Sequence, residues 1–426
     1  MADQLMNEGT SKDYLILFAL WLLVFSASSQ IMIVSPMLPQ IGRELSVPAA
    51  VQGTLVSAYA LMVGLFALII GPVSDKVGRR RVLLLGSGAM CVTLALHSAA
   101  YDYTSLLLAR TLSGAAGGML SGAAVSYVGD YFPYERRGWA GGWIMSSTAL
   151  GQILGVPAGT FLAAGYGFRL PFLLFAGTMA AAFFLIWKFV PQPDVERFAG
   201  RLTIRSALGK YRKLLGRGEV RAAALAFCLM FLGLALYVIY QPTWLHARTG
   251  ASSSQIALLF LVGGVANAMT GPLAGKLSDR VGRKSVIIAS CLGLSVMMLA
   301  TPLLVRGSNT LWIAYPLFFV TMILVAARMS PFQALLSALA TGEERGSLLS
   351  LTVALGQVGF ALGGVIAGPA YSRFGYTSNT IGGAACMLVM AFLIWRFLPE
   401  PGSNSSAGAE DIAASPQVRV AVKAAS

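Results

Sequence analysis

This chain is poor in charge. Only 11% of its 426 residues are Asp, Glu, Lys or Arg, against roughly 25% in an average soluble domain, so an ordinary soluble fold is excluded. It has 2 histidines, too few for a His-Glu-x-x-His metal site, and no Ser, His and Asp set falls at one depth of its apolar segments. A Gly-x-x-x-x-Gly-Lys-(Ser/Thr) phosphate loop is missing, which argues against ATP-driven work. The 4 cysteines, Cys91, Cys228, Cys291 and Cys386, show no CxxC spacing and lie in apolar runs; they read as small core residues rather than metal ligands or disulfides. Acids are the most telling shortage. None of the 17 lies in the middle of an apolar run, and His97 and His246 fall at run ends. No enzyme, metal site or cofactor is expected.

What is present is apolar sequence, 56% of the chain. A helix needs about 20 apolar residues to cross a bilayer. Twelve such spans are expected, near 14–37, 48–71, 81–100, 104–129, 137–164, 170–191, 220–245, 254–275, 284–305, 311–339, 345–372 and 378–398. Lipid cannot satisfy backbone polar groups, so the spans must be helices. The net charge of +14 is explained by position and not by nucleic acid. With the N-terminus cytoplasmic, 24 of the 31 Lys and Arg fall in inside segments, 5 in outside loops, and Arg110 and Arg328 within spans. That asymmetry places both termini in the cytoplasm. Residues 1–13 are a polar N-terminus, 192–219 a basic linker, and 399–426 a tail expected to be disordered. Asn404-Ser405-Ser406 matches a glycosylation acceptor but falls in this tail, where it is expected to be inert.

The chain repeats itself. Gly71-Pro-Val-Ser-Asp75-Lys-Val-Gly78-Arg79-Arg80-Arg81 returns 204 residues later as Gly275-Lys-Leu-Ser-Asp279-Arg-Val-Gly282-Arg283-Lys284. From Gly71 to Val82 against Gly275 to Val286, 7 of 12 positions are identical. Ala149-Leu-Gly-Gln152 is echoed by Ala354-Leu-Gly-Gln357, and Glu135-Arg-Arg-Gly138 by Glu343-Glu-Arg-Gly346. Two like halves, 14–191 and 220–398, follow. The fold class is an all-α membrane protein with twelve transmembrane helices in two pseudo-symmetric six-helix halves.

Six helices, a basic linker and six helices, with the charged string after spans two and eight, resemble the major facilitator superfamily, over about residues 14–398. Within it, the chain is similar to twelve-helix drug:proton antiporters and arabinose-efflux-permease-like proteins. Leu106-Leu-Leu-Ala-Arg110-Thr-Leu-Ser-Gly114 resembles the span-four arginine motif, and Gly151-Gln-Ile-Leu-Gly155-Val-Pro157-Ala-Gly159 the span-five antiporter motif. The second match departs at Val156, which separates a glycine and proline that are adjacent in the motif.

The resemblance implies roles. Asp75 would face the start of span eleven, while Arg79 pairs with Asp130; Asp279 and Arg283 would do related work. Such a cluster is a charge-biased gate, against the plainer reading of a solvated turn. Arg110 would sit in the central cavity beside Gln30 and the span-one serines Ser26, Ser28 and Ser29. An arginine within a span is costly and faces a cavity or partner, or bonds helix backbone. Arg328 with Gln333 could contact substrate or be structural. Tyr127, Tyr237, Tyr240 and Gln241 complete a candidate wall, each also readable as packing. Two buried arginines without buried acids favour neutral or anionic cargo over cations. The reading is a monomeric secondary transporter of a bacterial-type inner membrane, exporting small amphipathic compounds by alternating access, with protons as the expected counter-substrate. The alternatives are a carrier of an organic anion or sugar-like metabolite using Arg110 and Arg328, and a non-transporting sensor on the same fold.

Overall fold

The computed structural model describes residues 11–193, 204–308, 310–339 and 342–399. Residues 1–10, linker residues 194–203 and the tail from 400, with its Asn404 acceptor, lie outside them. Among the described residues the secondary structure is helical, and eleven helices are long and apolar enough to cross a membrane. The remaining expected span is broken. It runs as Tyr103–Leu120, a helix that carries Arg110, and resumes as Ala123–Tyr131 after Gly122, which takes a left-handed φ of 73°.

Span 1 is Ser11–Ser29 continued by Val34–Glu44, span 2 Thr54–Val77, span 3 Arg79–Leu96, and span 4 the broken pair. Span 5 is Tyr134–Leu150 continued through Gly151–Gly155 to Val156–Tyr166, and span 6 is Arg169–Phe189. Span 7 is Gly218–Val238 continued by Gln241–Thr249; spans 8 to 12 are Ser253–Val281, Arg283–Ser308, Ala314–Ala338, Gly342–Phe374 and Tyr376–Phe397. The linker contributes a helix, Ile204–Gly216. Large apolar side chains such as Leu85, Val92, Phe184 and Leu303 remain exposed on the outside of the bundle, the surface that lipid would cover.

Local chemistry sets the turns. Gly78 and Gly282 end spans 2 and 8 at φ 105° and 98°, a region that only glycine enters cheaply. Each donates its N–H to a serine carbonyl one turn back, Ser74 and Ser278, at 3.0 Å. Asp102 caps span 4 by accepting from the Ser105 N–H at 2.7 Å. Hydrogen bonds from the Ser105 side chain and then its backbone hold the Asp102 carboxyl below its usual range. That cap is therefore complete at neutral pH and fades only as pH falls through the lowered value. Within span 5, Gly151–Gly155 forms a π turn. A π turn absorbs one extra residue, and it ends where Val156 intervenes before Pro157.

Spans 1–6 pack among themselves, span 2 on span 4 and span 6 on spans 1 and 3; spans 7–12 do likewise, span 7 on spans 11 and 12 and span 8 on span 10. The two groups meet where span 2 crosses span 11, span 5 crosses span 8, and Val34–Glu44 touches Gln241–Thr249. Glycines allow the closest approach. A Cβ added at Gly53 would collide with the carbonyl of Gly364, and one at Gly368 with that of Ala50.

Candidate functional site: a charged turn, a polar seal and an uncharged cavity

Arg79 is the hub of the charged turn. Its terminal nitrogen lies 2.6 Å from Asp75 Oδ1, and its Nε donates to Asp130 Oδ2 at 2.6 Å. The side chains of Arg79 and Asp130 are 16% and 26% exposed, whereas Asp75 is 48% exposed. The Arg79–Asp130 pair therefore carries more of the energy, because water screens an exposed pair. Gly71 has open space at its Cα. The expected partner of Asp75 at the start of span 11 falls on 342–346, whose side chains lie outside the described ones. In the second copy Arg283 and Asp279 stand 3.8 Å apart, too far for a hydrogen bond.

The repeat also extends beyond the string. Arg80 donates to the Trp187 carbonyl at 2.6 Å, and Lys284 to the Trp395 carbonyl at 3.0 Å. Each ties the start of span 3 or 9 to the end of span 6 or 12. Gln192 accepts from the Arg80 N–H at 3.1 Å and braces the Gly78 turn. The Arg136–Asp13 pair, at 2.9 Å, joins the starts of spans 5 and 1; no motif announced it.

A polar seal joins the two groups on the side away from the termini. Tyr240, fully buried, donates its hydroxyl hydrogen to the Ala49 carbonyl at 2.6 Å and accepts from the Gly53 N–H at 2.8 Å. Ser35 lies 3.1 Å from both the Val238 and Ile239 carbonyls, and Ser57 donates to the Ala361 carbonyl at 2.6 Å. At the rim Arg43 donates to His246 Nε2 at 2.9 Å, while His246 Nδ1 donates to the Ala251 carbonyl at 2.9 Å. Arginine can only donate, so this His246 is the neutral Nδ1–H tautomer.

On the termini side of the seal lies a cavity of about 210 Å3. Its wall is mostly aliphatic, from Leu23, Val63, Leu120 and Ile144, with polar points at Ser28, Tyr59, Ser121, Thr148 and Gln357. Among the described residues no charged side chain lines it. Breaks in two spans border it, at Ser28 to Ile31 in span 1 and Ser121–Gly122 in span 4, and the π turn of span 5 follows Thr148. Broken helices free backbone polar groups at a binding depth.

Of the span-one serines expected beside Gln30, Ser28 lines this cavity; Gln30, Arg110, Tyr127, Tyr237, Tyr240, Gln241, Arg328 and Gln333 are not in its wall. Arg110 is fully buried behind Tyr59, its guanidinium carbon 4.2 Å from the ring centroid. It donates to the Gln30 and Leu55 carbonyls at 3.2 Å each. The expected link to span 1 is therefore present, made by backbone. Among the described residues, one Arg110 nitrogen and both ends of the Gln30 amide lack a partner. Arg328 is fully buried against Met387 Sδ and Cys291, with Nε and one terminal nitrogen unpartnered. Gln333, on the same helix, is exposed and does not join it. Tyr127 donates to the Pro191 carbonyl at 2.8 Å, bracing the end of span 6. Tyr237 bonds Thr301 at 3.1 Å and accepts from Gln241 at 3.3 Å, a closed cluster inside the last six spans. In the span-5 motif, Gly151, Gly155 and Gly159 press on Phe25, Ser29 and Ile33 of span 1, while Pro157 is buried near the start of the resumed helix.

Sequence reasoning missed Gln357 and Thr148 as wall residues. The echo containing Gln357 was the one available signal.

Two groups of six spans meeting around an uncharged cavity have the build of a membrane carrier. The chain belongs to the Major Facilitator Superfamily, whose family model matches residues 20–327 and 223–425. It is 27% identical over 385 residues to the uncharacterized MFS-type transporter YwfA of Bacillus subtilis (strain 168), covering 90% of this chain and 92% of that one. It is 27% identical over 374 residues to multidrug resistance protein MdtG of Proteus mirabilis (strain HI4320), covering 84% and 90%. Among solved structures it resembles a D-xylose-proton symporter, with a TM-score of 0.75 at 18% identity over 92% of this chain and 99% of that one. The protein is thus a multi-pass transporter of small molecules and not an enzyme.

Proposed function

We propose that the chain exports small, neutral, amphipathic, drug-like compounds by alternating access, in exchange for protons, from a bacterial-type inner membrane. Both termini lie in the cytoplasm and the monomer is the working unit. The observation that carries this reading is the cavity: aliphatic walls, scattered hydroxyl and amide groups, and no charge. An aliphatic wall holds apolar ligands of varied shape, and a few polar points orient them. With the termini cytoplasmic, the seal of Tyr240, Ser35 and Ser57 closes the outer side, and this conformation presents its cavity inward. The likeness to proteins named for multidrug resistance supports the cargo class.

The test is transport in liposomes with an imposed pH gradient, using tetraphenylphosphonium, tetraphenylborate and the neutral chloramphenicol. Gradient-driven chloramphenicol movement is expected. Movement of the phosphonium alone would sink the argument from the uncharged wall. Movement of the borate alone would favour the organic-anion reading and turn attention to the unpartnered nitrogens of Arg328.

A further inference from the structure

The cavity wall is lopsided. Its residues come from spans 1, 2, 4 and 5, with one exception, Gln357 of span 11. Gln152 occupies the equivalent place in the repeat and is not in the wall. Gln357 also stands at a crossing. A Cβ added at Gly64 of span 2 would lie 3.0 Å from the Gln357 Cβ and 3.1 Å from the Ala354 carbonyl. One turn further along span 11, Ala361 accepts the Ser57 hydroxyl at 2.6 Å, part of the seal. Gln357 is therefore where the cavity ends and the seal begins. Its amide has no hydrogen bond to the described residues, so a donor and an acceptor stand ready for a ligand.

A ligand shifts a conformational equilibrium only by binding the two states differently. If the two groups of spans rock as bodies, contacts within one body are the same in both states. Cargo touching only spans 1, 2, 4 and 5 would bind without driving any change. The differential contact has to come from the opposite body, and among the described residues Gln357 is its one side chain in the wall. We propose that Gln357 is the positioning residue through which bound cargo moves the last six spans, by hydrogen-bonding the polar group of a neutral amphiphile. This rests on the cargo class proposed above.

The experiment compares Gln357→Leu, Gln357→Asn and the wall control Thr148→Val with the unaltered chain. Leucine keeps the Cβ against Gly64 and removes only the amide. Spin labels at the exposed Tyr101 and Trp312 report the distance across the side away from the termini, with and without chloramphenicol; binding is measured by equilibrium dialysis and transport in liposomes. For Gln357→Leu we expect binding weakened by no more than about tenfold, the loss of one hydrogen bond. The ligand-induced change in distance should vanish, and maximal transport should fall at least about tenfold with it. Gln357→Asn should restore part of both, whereas Thr148→Val should change affinity and keep the distance change. A Gln357→Leu protein that still shifts on binding, or transports at the unaltered maximal rate, overturns the role of Gln357. An unaltered chain that binds no chloramphenicol overturns the cargo reading, and this inference with it.

Discussion

Replacing Tyr240 by phenylalanine removes one oxygen atom and two cross-bundle hydrogen bonds. The ring keeps its place, stacked on Tyr371 with centroids 5.1 Å apart. What is lost is the donation to Ala49 O at 2.6 Å and the acceptance from Gly53 N at 2.8 Å. Tyr240 is fully buried, so in the sealed state both backbone groups lose their hydroxyl partner. In the opened state water reaches them and the substitution costs little. Each such bond contributes about 0.5–1.5 kcal/mol net, so the sealed state loses about 2 kcal/mol. That moves the open-to-sealed ratio about 30-fold. Spin labels at Tyr101 and Trp312, 80% and 73% exposed on opposite bundles, would read this by double electron–electron resonance. The long-distance population should grow in Tyr240→Phe at fixed pH and without ligand. An unchanged distribution, or growth of the short-distance population, would refute the assignment of Tyr240 to the seal.

Other expectations follow from the same geometry. His246→Leu removes the ring nitrogen that accepts from Arg43 at 2.9 Å and should enlarge the long-distance population in the same distance measurement; an unchanged distribution would show that the rim contact adds nothing to the seal. Asp130→Asn removes the more buried partner of Arg79 and should cost about 1–3 kcal/mol, read as a lower thermal midpoint in detergent; Asp75→Asn, at the more exposed partner, should cost less, and equal losses would contradict the burial argument. Gly114→Leu should prevent proper packing of span 4, because a Cβ there would collide with the Tyr59 carbonyl; normal yield and normal melting would show that span 2 can yield.

The helical fold was legible because lipid leaves the chain little choice. Long apolar runs, and basic residues gathered at alternate breaks, give spans and order without any knowledge of packing. The Arg79–Asp130 pair was legible too, through the resemblance carried by the repeated string. The cavity was not. Most of its wall is aliphatic or glycine, residues that look the same whether they face cargo, lipid or another helix. Gly114, Gly118 and Gly122 recur every four residues, the spacing of a stripe for helix packing. Only the positive φ of Gly122 distinguishes a broken helix from a tight one, and φ leaves no mark in composition. Tyr240 is ambiguous in sequence for the opposite reason. An amphipathic ring on a central helix suits a ligand or a seal equally well, and only the position of Ala49 and Gly53 decides. Arg110 meets span 1, its expected partner, through the Gln30 carbonyl, and Tyr59 stands between it and this cavity.

The seal has one more property. Its hydroxyl donors are Ser35, Ser57 and Tyr240, and the oxygens that accept from them, on Val238, Ile239, Ala361 and Ala49, all belong to the main chain. Every amino acid carries such an oxygen. Mutation at the accepting positions can alter bulk but cannot delete the acceptor, so genetic drift there leaves the closure chemically whole. The whole hereditary risk of the hydroxyl seal is concentrated in three side chains, each a single nucleotide change from losing its oxygen. A lineage of such proteins could therefore change the accepting residues on both bundles while holding only three codons, two in the first group of spans and one in the second.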